Sequence, residues 1–440
     1  MAAHQTHHDP RPSTVTVPAP RRLRKADTGP GTPAGANGTT GTSGDPVARK
    51  DPRAAAPRRS GHRGRRNDIR RAAWTALSVH AVTTGVHLMI LAWLNGAGGP
   101  GAPALRDRLL AWDAQLYLSI ATDGYPPGLT YGPDGEPTGN NLAFFPLYPL
   151  LTRLLHRSTG IEAGTAAITL SHLALLAALY AVHRLLTRLC GERVAVIGIV
   201  LVAGAQPMAL TFLMGYSEAL FLALAAGTLL AAHRHAWLTA GTLALLAGLT
   251  RPAAGAVTLA LITAVALELR RTRRFTWRPL AAVALGCAGT PAYLGWVGLR
   301  TGRADAWFLV QEAGWGTHWD YGDAFFRFLA DTFRSADGWV ALSTAVLLVA
   351  AVAGTALAFR RDTWPPLLVY GCTVLVLTLG QSNYYHSKLR LIVPALVFLV
   401  PLALALARAG TRTAVTALTA ATLFGSWYGA HMLTVWRYAI

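Results

Sequence analysis

Residues 109–127 have the sequence LLAWDAQLYLSIATDGYPP, an apolar segment that carries an aspartate, Asp113, among large hydrophobic side chains. On a helix of about 3.6 residues per turn, Asp113 shares one face with Leu109, Leu116 and Ile120. An aspartate at the centre of a bilayer is unfavourable by about 2.5 to 3.5 kcal/mol on insertion scales. Because charged residues in such places mark ion, proton or substrate sites, Asp113 is a candidate functional residue.

The composition of the chain is typical of a polytopic membrane protein. Of its 440 residues, 52% are hydrophobic and 14% charged, and the mean hydropathy is +0.34. The net charge is +19, but the arginines spread over short loops are explained better by membrane topology than by nucleic-acid binding. The three cysteines have no paired spacing, so neither a disulfide framework nor a zinc site is predicted.

Residues 1–71 differ from the rest of the chain. They are rich in Pro, Gly, Thr and Ala, lack apolar periodicity, and carry 15 Arg and Lys against 5 Asp. Such a segment buries too little apolar surface to offset chain entropy, so we predict a disordered tail. Its charge favours the cytoplasmic face, and no apolar core of a signal peptide follows its first basic residues.

The remaining residues, 72–440, predict a transmembrane domain of about eleven helices. Several apolar segments are shorter than the roughly 20 residues that a perpendicular span needs, so we expect them to tilt, borrow flanking residues or form half-helices. The predicted spans are 72–94, 163–184, 194–213, 217–232, 237–250, 253–269, 279–299, 338–359, 364–380, 391–407 and 413–429.

The loop charges predict the orientation of these spans. With the tail inside, the cytoplasmic loops carry a large excess of arginine, including the cluster at 270–278, whereas the outer loops mix both signs. This asymmetry follows the positive-inside rule and places the N-terminus in the cytoplasm of a multi-pass plasma-membrane protein. Two outer loops are long, about 95–162 and about 300–337, and we expect interfacial helices in the first.

Other candidate residues stand at the predicted outer ends of spans, in MGYSEALF (214–221), GLTRPAAG (248–255) and GQSNYYHSKLRLIVP (380–394). Gathered at one interface, such groups would line a cavity for an anionic ligand; the alternative for each is simple snorkelling. For Asp113 the alternative is a helix cap, or an ion pair with Arg106 or Arg108. The further candidates are Tyr216, Glu218, Arg251, His386, Lys388 and Arg390, with Trp112, Tyr117 and Asp123 from the first outer loop.

Four blocks resemble the PIG-V-type mannosyltransferases, the family of the second mannosyltransferase of glycosylphosphatidylinositol assembly and its bacterial relatives. In order they are AWDAQLYLSIATDGY, NLAFFPLYPLLTRLL, GYSEALFLALAAGTLLAA and LALLAGLTRPAAGAV, within a likeness that covers about 72–440. The resemblance implies an all-α GT-C fold, a polyprenyl-phosphate-mannose donor and a catalytic acid in the first outer loop, which matches Asp113. The closing block YYHSKLRLIVP departs from the family pattern and leaves the roles of His386, Lys388 and Arg390 open.

The predicted function is inverting transfer of a sugar, mannose by the resemblance, to an acceptor at the extracytoplasmic face. Asp113 would take the proton of the acceptor hydroxyl, a contribution of about 100- to 10,000-fold. Arg251, Lys388 and Arg390 would bind the donor phosphate. No metal ligand is predicted. A donor that is a lipid monophosphate has less need of a divalent metal than a nucleotide-sugar diphosphate has, and a metal requirement stays open. The alternatives are a transporter or flippase for a polyprenyl-linked glycan and an inactive partner of another transferase.

Overall fold

The computed structural model describes residues 60–335, 338–361, 363–436 and 438. The first helix begins at Ser60, inside the segment predicted as a tail, and continues without a break into the first predicted span. The rest of the predicted tail, residues 1–59, lies outside the described residues.

Helices make up most of the described chain, as the apolar segments predict. Seventeen α-helices occur in the described residues: α1 (Ser60–Gly96), α2 (Leu105–Leu109), α3 (Asp113–Thr122), α4 (Leu147–Thr159), α5 (Ala163–Cys190), α6 (Glu192–Val200), α7 (Glu218–His233), α8 (Trp237–Gly248), α9 (Ala254–Thr272), α10 (Trp277–Thr301), α11 (Ala306–Trp315), α12 (Asp323–Ser335), α13 (Trp339–Phe359), α14 (Pro365–Leu379), α15 (Lys388–Ile392), α16 (Leu399–Arg408) and α17 (Thr411–Thr434). The prediction of an all-α multi-pass membrane protein is confirmed.

Helix length and composition identify fewer spans than the apolar segments predict. Among the described residues, four helices are long and apolar enough to cross a membrane: α1 from Arg66 onwards, α5, α10 and α13. A fifth span is formed if Tyr385–Ile392 and Leu396–Arg408, which meet at a bend of 77°, count as one. Helices α7, α8 and α14 are apolar but shorter, so the predicted count of eleven is not confirmed, although every predicted segment overlaps a helix.

Two predicted spans are broken helices. The segment 194–213 contains α6, a π-helical turn at Leu201–Ala205 and a 3₁₀ turn at Ala209–Leu213. The segment 391–407 breaks near Pro394, which cannot donate a backbone hydrogen bond. The buried Gln206 side chain joins both breaks, since its Nε2 donates to the carbonyls of Val202 (3.3 Å) and Val393 (3.1 Å). Irregular backbone inside a membrane protein is stable only where neighbouring groups satisfy it in this way.

Small residues bring α8 and α10 close together. A Cβ placed on Gly248 would lie 2.9 Å from the Cα of Gly289, and one placed on Gly241 would lie 2.6 Å from the Cα of Ala282. Larger side chains would therefore force the two helices apart. Such close approach at glycine is typical of helix packing in membranes, where burial of apolar surface supplies no driving force.

Both long outer loops contain helices. The first holds α2, α3 and α4 and a short hairpin in which Thr130–Tyr131 pairs antiparallel with Pro137–Thr138. Helix α4 is two-sided: Leu150 and Leu154 are 48% and 63% exposed, whereas Tyr148 is buried. This pattern fits the interfacial helix predicted for the loop. The second loop holds α11 and α12, and neither helix is predicted in the sequence analysis.

Candidate active site

Asp113 is the first residue of α3, directly after a strained residue. The helical face that groups Leu109 with Asp113 in the sequence is interrupted, because α2 ends at Leu109 and α3 begins at Asp113. Between them Trp112 has φ 55° and ψ −120°, a conformation that side-chain-bearing residues rarely adopt and that is unfavourable by about 1 to 3 kcal/mol. Such strain persists where the surroundings enforce it, commonly at functional sites. A carboxylate in the first helical turn also faces the positive end of the helix dipole.

Four charged side chains form what we call the ionic cluster: Asp113, Glu218, Arg251 and Arg390. Arg390 Nη1 lies 2.7 Å from Asp113 Oδ2, and Arg390 Nε lies 3.6 Å from Glu218 Oε1. Arg251 Nη1 contacts the same Glu218 oxygen at 2.5 Å. The side chains are 15%, 2%, 14% and 11% exposed in the order given. Two acids and two arginines therefore alternate in one largely buried chain of ion pairs.

The members of the ionic cluster come from four different parts of the fold. Asp113 opens α3 and Glu218 opens α7, while Arg251 lies in the short turn between α8 and α9, and Arg390 lies on α15. A backbone hydrogen bond from Gly215 to the Leu109 carbonyl (2.9 Å) ties the turn before α7 to the first outer loop. Helix ends from distant parts of the sequence therefore meet around the candidate acid.

Two tyrosines line the cluster. The Arg390 guanidinium carbon lies 5.0 Å from the centre of the Tyr216 ring, in the range of a cation–π interaction. The Tyr117 hydroxyl is 2.8 Å from Ser217 Oγ. Burial raises the pKa of Tyr117 well above its usual range, so the hydroxyl stays protonated. Both predicted tyrosines are thus held beside the acid as neutral groups.

The ionic cluster lines a cavity of about 340 Å³. Residues of the second outer loop line it as well, and we call Trp307, Gln311, Trp315 and His318 the outer wall. The lining also contains further aromatic and amide side chains: Phe144, Phe145, Phe308, Trp319, Gln381, Asn383 and Tyr384. Charged groups together with aromatic rings and amides can hold a ligand that has both an anionic and a polar, ring-shaped part.

The outer wall is attached to the NLAFFPLYPLLTRLL block of the first loop. The Ala143 carbonyl accepts hydrogen bonds from Trp307 Nε1 (3.3 Å) and Gln311 Nε2 (3.0 Å). Close by, a Cβ on Gly139 would lie 2.5 Å from the Cα of Gly314, so the backbones of the two loops touch. The block therefore positions the second loop over the cavity, in addition to lining it with Phe144.

Four predicted site residues do not line the cavity. Lys388 is 1% exposed, and its Nζ donates to the carbonyls of Thr378 (3.0 Å) and Gln381 (2.8 Å). His386 is buried among aromatic rings, including a stacked contact with Tyr384 at 5.5 Å. Asp123 is exposed at the end of α3, and Trp112 packs against the hydrophobic core. Of the three cations predicted to bind phosphate, Arg251 and Arg390 are at the cavity.

The alternative ion pairs of Asp113, with Arg106 or Arg108, are not formed in the described chain. Arg106 pairs with Glu162, and Arg108 donates to Asn95 (3.0 Å) and to the Leu433 carbonyl (3.1 Å). Neither arginine contacts Asp113 through a hydrogen bond or ion pair in the part of the chain that the structure describes.

The residues of the outer wall are not among the candidates that the sequence predicts. Its segment, AWFLVQEAGWGTHWDYGD, contains three tryptophans within a short stretch interrupted by glycines, which is a signal for an aromatic binding surface. No periodic pattern, however, links this stretch to Asp113. Among residues 60–335, 338–361, 363–436 and 438, no group of three or more His, Cys, Asp or Glu side chains is placed to hold a metal ion.

Comparison with known proteins gives distant structural matches. Neither protein-family models nor curated proteins match the sequence. Among solved structures, ArnT from Cupriavidus metallidurans bound to undecaprenyl phosphate is 16% identical with a TM-score of 0.47, over 77% of this chain and 62% of ArnT. The archaeal oligosaccharyltransferase AglB from Archaeoglobus fulgidus, in complex with an inhibitory peptide and a dolichol-phosphate, is 13% identical with a TM-score of 0.44, over 82% of this chain and 56% of AglB. This chain thus spans less than two thirds of either protein, and the likeness does not by itself assign an activity.

Proposed function

We propose that this chain is a membrane glycosyltransferase of the GT-C type that moves a sugar from a polyprenyl-phosphate-linked donor to an acceptor hydroxyl. The observation that carries the proposal is the ionic cluster: a carboxylate suited to act as a base and two arginines suited to bind phosphate line one cavity. The motif resemblance to PIG-V-type mannosyltransferases supports mannose as the sugar. The loop charges support an extracytoplasmic active site and a cytoplasmic N-terminus.

Asp113 acts as the general base in this proposal. The acceptor oxygen attacks the anomeric carbon from the face opposite the leaving polyprenyl phosphate, the bond from that carbon to the phosphate oxygen breaks, and the hydroxyl proton passes to Asp113. A single displacement of this kind inverts the anomeric configuration. General base catalysis contributes about 100- to 10,000-fold to the rate.

Arg251 and Arg390 stabilise the departing phosphate. Charge on the phosphate grows as the glycosidic bond breaks, and cations already directed at it lower the barrier without reorganisation. Arg390 now contacts Asp113 at 2.7 Å, so a donor phosphate that takes over this guanidinium leaves the carboxylate available to the acceptor proton. Lys388 is left out of this role because its ammonium is directed at two backbone carbonyls.

A transporter or flippase for a polyprenyl-linked glycan is the second candidate. Arg390 reaches the cavity from a helix pair bent by 77°, and discontinuous helices at a binding site are typical of transporters. In that case the ionic cluster would bind the lipid headgroup without chemistry. The strained residue beside Asp113 favours the enzyme, since a headgroup site has less need of a fixed carboxylate.

The two functions separate in one reconstituted experiment. Purified protein in liposomes receives polyprenyl-phosphate-mannose or polyprenyl-phosphate-glucose with a membrane glycolipid extract, with and without a chelator. We expect a new mannosylated product whose anomeric configuration, read by NMR, is inverted relative to the donor. Movement of the donor between leaflets without any product would overturn the enzyme in favour of the transporter. Loss of product with chelator would add a metal requirement.

A further inference from the structure

Glu218 is the most enclosed member of the ionic cluster, and the base mechanism gives it no role. It is buried, and its Oε1 atom contacts both arginines, Arg251 at 2.5 Å and Arg390 at 3.6 Å. Its Oε2 atom is buried without a hydrogen-bond partner among the described residues. A buried carboxylate is retained only where its charge is compensated, which here requires both cations.

We propose that Glu218 is a positioning residue. By pairing with Arg251 and, together with Asp113, with Arg390, it limits the positive charge that acts on Asp113 and keeps Asp113 able to accept a proton. The inference rests on the proposed function. Arg390 bridges both acids, whereas Arg251 has an ion pair with Glu218 and none with Asp113 in the described chain. Glu218 is thus the acid of the cluster that pairs with Arg251, and it pairs with Arg390 together with Asp113.

The electrostatic reason follows from the order of charges. A cation beside a carboxylate stabilises its ionised form and makes it a weaker base, whereas a second carboxylate nearby has the opposite effect. With Glu218 charged, the cluster is neutral and Asp113 experiences the field of about one arginine. With Glu218 neutral, both arginines act on Asp113 and no neighbouring negative charge opposes them.

The other titratable groups around the cluster do not replace Glu218. Tyr117 and Tyr216 face it as buried phenols, and His318 of the outer wall lines the same cavity but is 53% exposed. Lys388 on the helix of Arg390 is directed at backbone carbonyls. Glu218 is therefore the only second carboxylate among the described residues that line the cavity.

The test is the pH dependence of transfer in the Glu218→Gln variant. Glutamine keeps the shape of the side chain and removes its charge. We expect the acid limb of the pH–rate profile, which reports ionisation of the base, to move down by about one pH unit or more. Above that limb we expect kcat to fall about tenfold, because a weaker base takes the proton less well. An acid limb at its wild-type position would overturn the inference.

Two further variants separate positioning from a merely structural role. Arg251→Gln removes the cation that Glu218 holds, so Glu218 takes a larger share of Arg390 and the acid limb should move up, opposite to Glu218→Gln. A structural defect would not produce shifts of opposite sign. Glu162→Gln is the matched control, since Glu162 also pairs with an arginine but lies on the exposed surface outside the cavity. Its acid limb should stay in place.

A direct titration distinguishes failure of this inference from failure of the proposed function. The infrared band of the protonated Asp113 carboxyl is identified by its loss in Asp113→Asn and followed against pH in wild type, Glu218→Gln and Arg251→Gln. If the Asp113 titration shifts in opposite directions in the two variants but the protein transfers no sugar, the positioning role of Glu218 is upheld and the transferase function is overturned. If the wild type transfers sugar but Asp113 titrates identically in all three proteins, the transferase function is upheld and the positioning role of Glu218 is overturned.

Discussion

The ionic cluster and the outer wall line the same cavity but are held in place by different interactions. The cluster consists of charged side chains from helix ends, fixed by ion pairs of 2.5 to 3.6 Å. The outer wall consists of aromatic and amide groups on α11 and the segment just after it, attached through hydrogen bonds to one carbonyl, that of Ala143. We infer that the cluster binds the donor phosphate and performs the chemistry while the wall holds the rest of the substrate, so only changes in the cluster should move the pH dependence of transfer.

The largest expected effect separates two aspartates at opposite ends of α3, the first residue of the helix and the residue that follows it. Asp113→Asn should lower kcat by about 100- to 10,000-fold, since the amide cannot accept the acceptor proton. Asp123→Asn, at the exposed far end of α3, should leave kcat unchanged. Both are measured as sugar transfer in membranes at equal protein level. Near-normal transfer by Asp113→Asn would remove this residue from the role of base.

The second test compares two cations of one short helix. Arg390→Met leaves two buried carboxylates with one arginine, which should lower the free energy of unfolding by about 3 to 5 kcal/mol and weaken donor binding. Lys388→Met loses hydrogen bonds to two carbonyls and a favourable charge interaction with Asp320, so we expect a loss of about 1 to 3 kcal/mol of stability and an unchanged donor KM. Thermal unfolding in detergent and donor saturation curves check both. An equal rise of donor KM in the two variants would return Lys388 to the phosphate site.

A smaller effect is expected where the outer wall alone is disturbed. Gly139→Ala places a methyl group against the backbone of Gly314 and should displace the wall, at about 1 to 3 kcal/mol of stability. KM should rise several-fold while the acid limb of the pH profile stays unchanged. Gly128→Ala is the control, because nothing lies within 4 Å of its added Cβ. A shifted acid limb in Gly139→Ala would show that the wall and the cluster are coupled.

The smallest effect concerns an ion pair outside both regions. Partial burial would raise the pKa of Glu162, but hydrogen bonds from Arg106 and from the backbone of Thr165 and Gly164 outweigh it and hold the pKa at about 2. The lowered pKa means that the pair contributes stability above pH 4.5, the ordinary value, and loses it as the pH falls towards 2. Because both side chains are exposed, the difference in unfolding temperature between wild type and Glu162→Gln should correspond to about 1 kcal/mol or less and disappear in that window.

The sequence predicts site residues best where a charged residue stands in an apolar segment, because its burial is unfavourable unless it has a function. A carboxylate in the apolar segment 109–127 pointed to Asp113, and arginines and a glutamate at span ends pointed to Arg251, Arg390 and Glu218. The structure brings all four to one cavity. The same reasoning could not separate Lys388 from Arg390, because both are cations two positions apart and only the direction of each side chain distinguishes them.

The apolar segments alone determined that this chain is an all-α membrane protein, since about 20 consecutive apolar residues are stable only as a helix in lipid. Which helix ends meet was decided by tertiary structure. Contacts such as Arg390 with Asp113 join residues far apart in the chain, and no local pattern encodes them. The breaks near Gln206 and Pro394, and the attachment of the outer wall to Ala143, likewise depend on hydrogen bonds between distant segments.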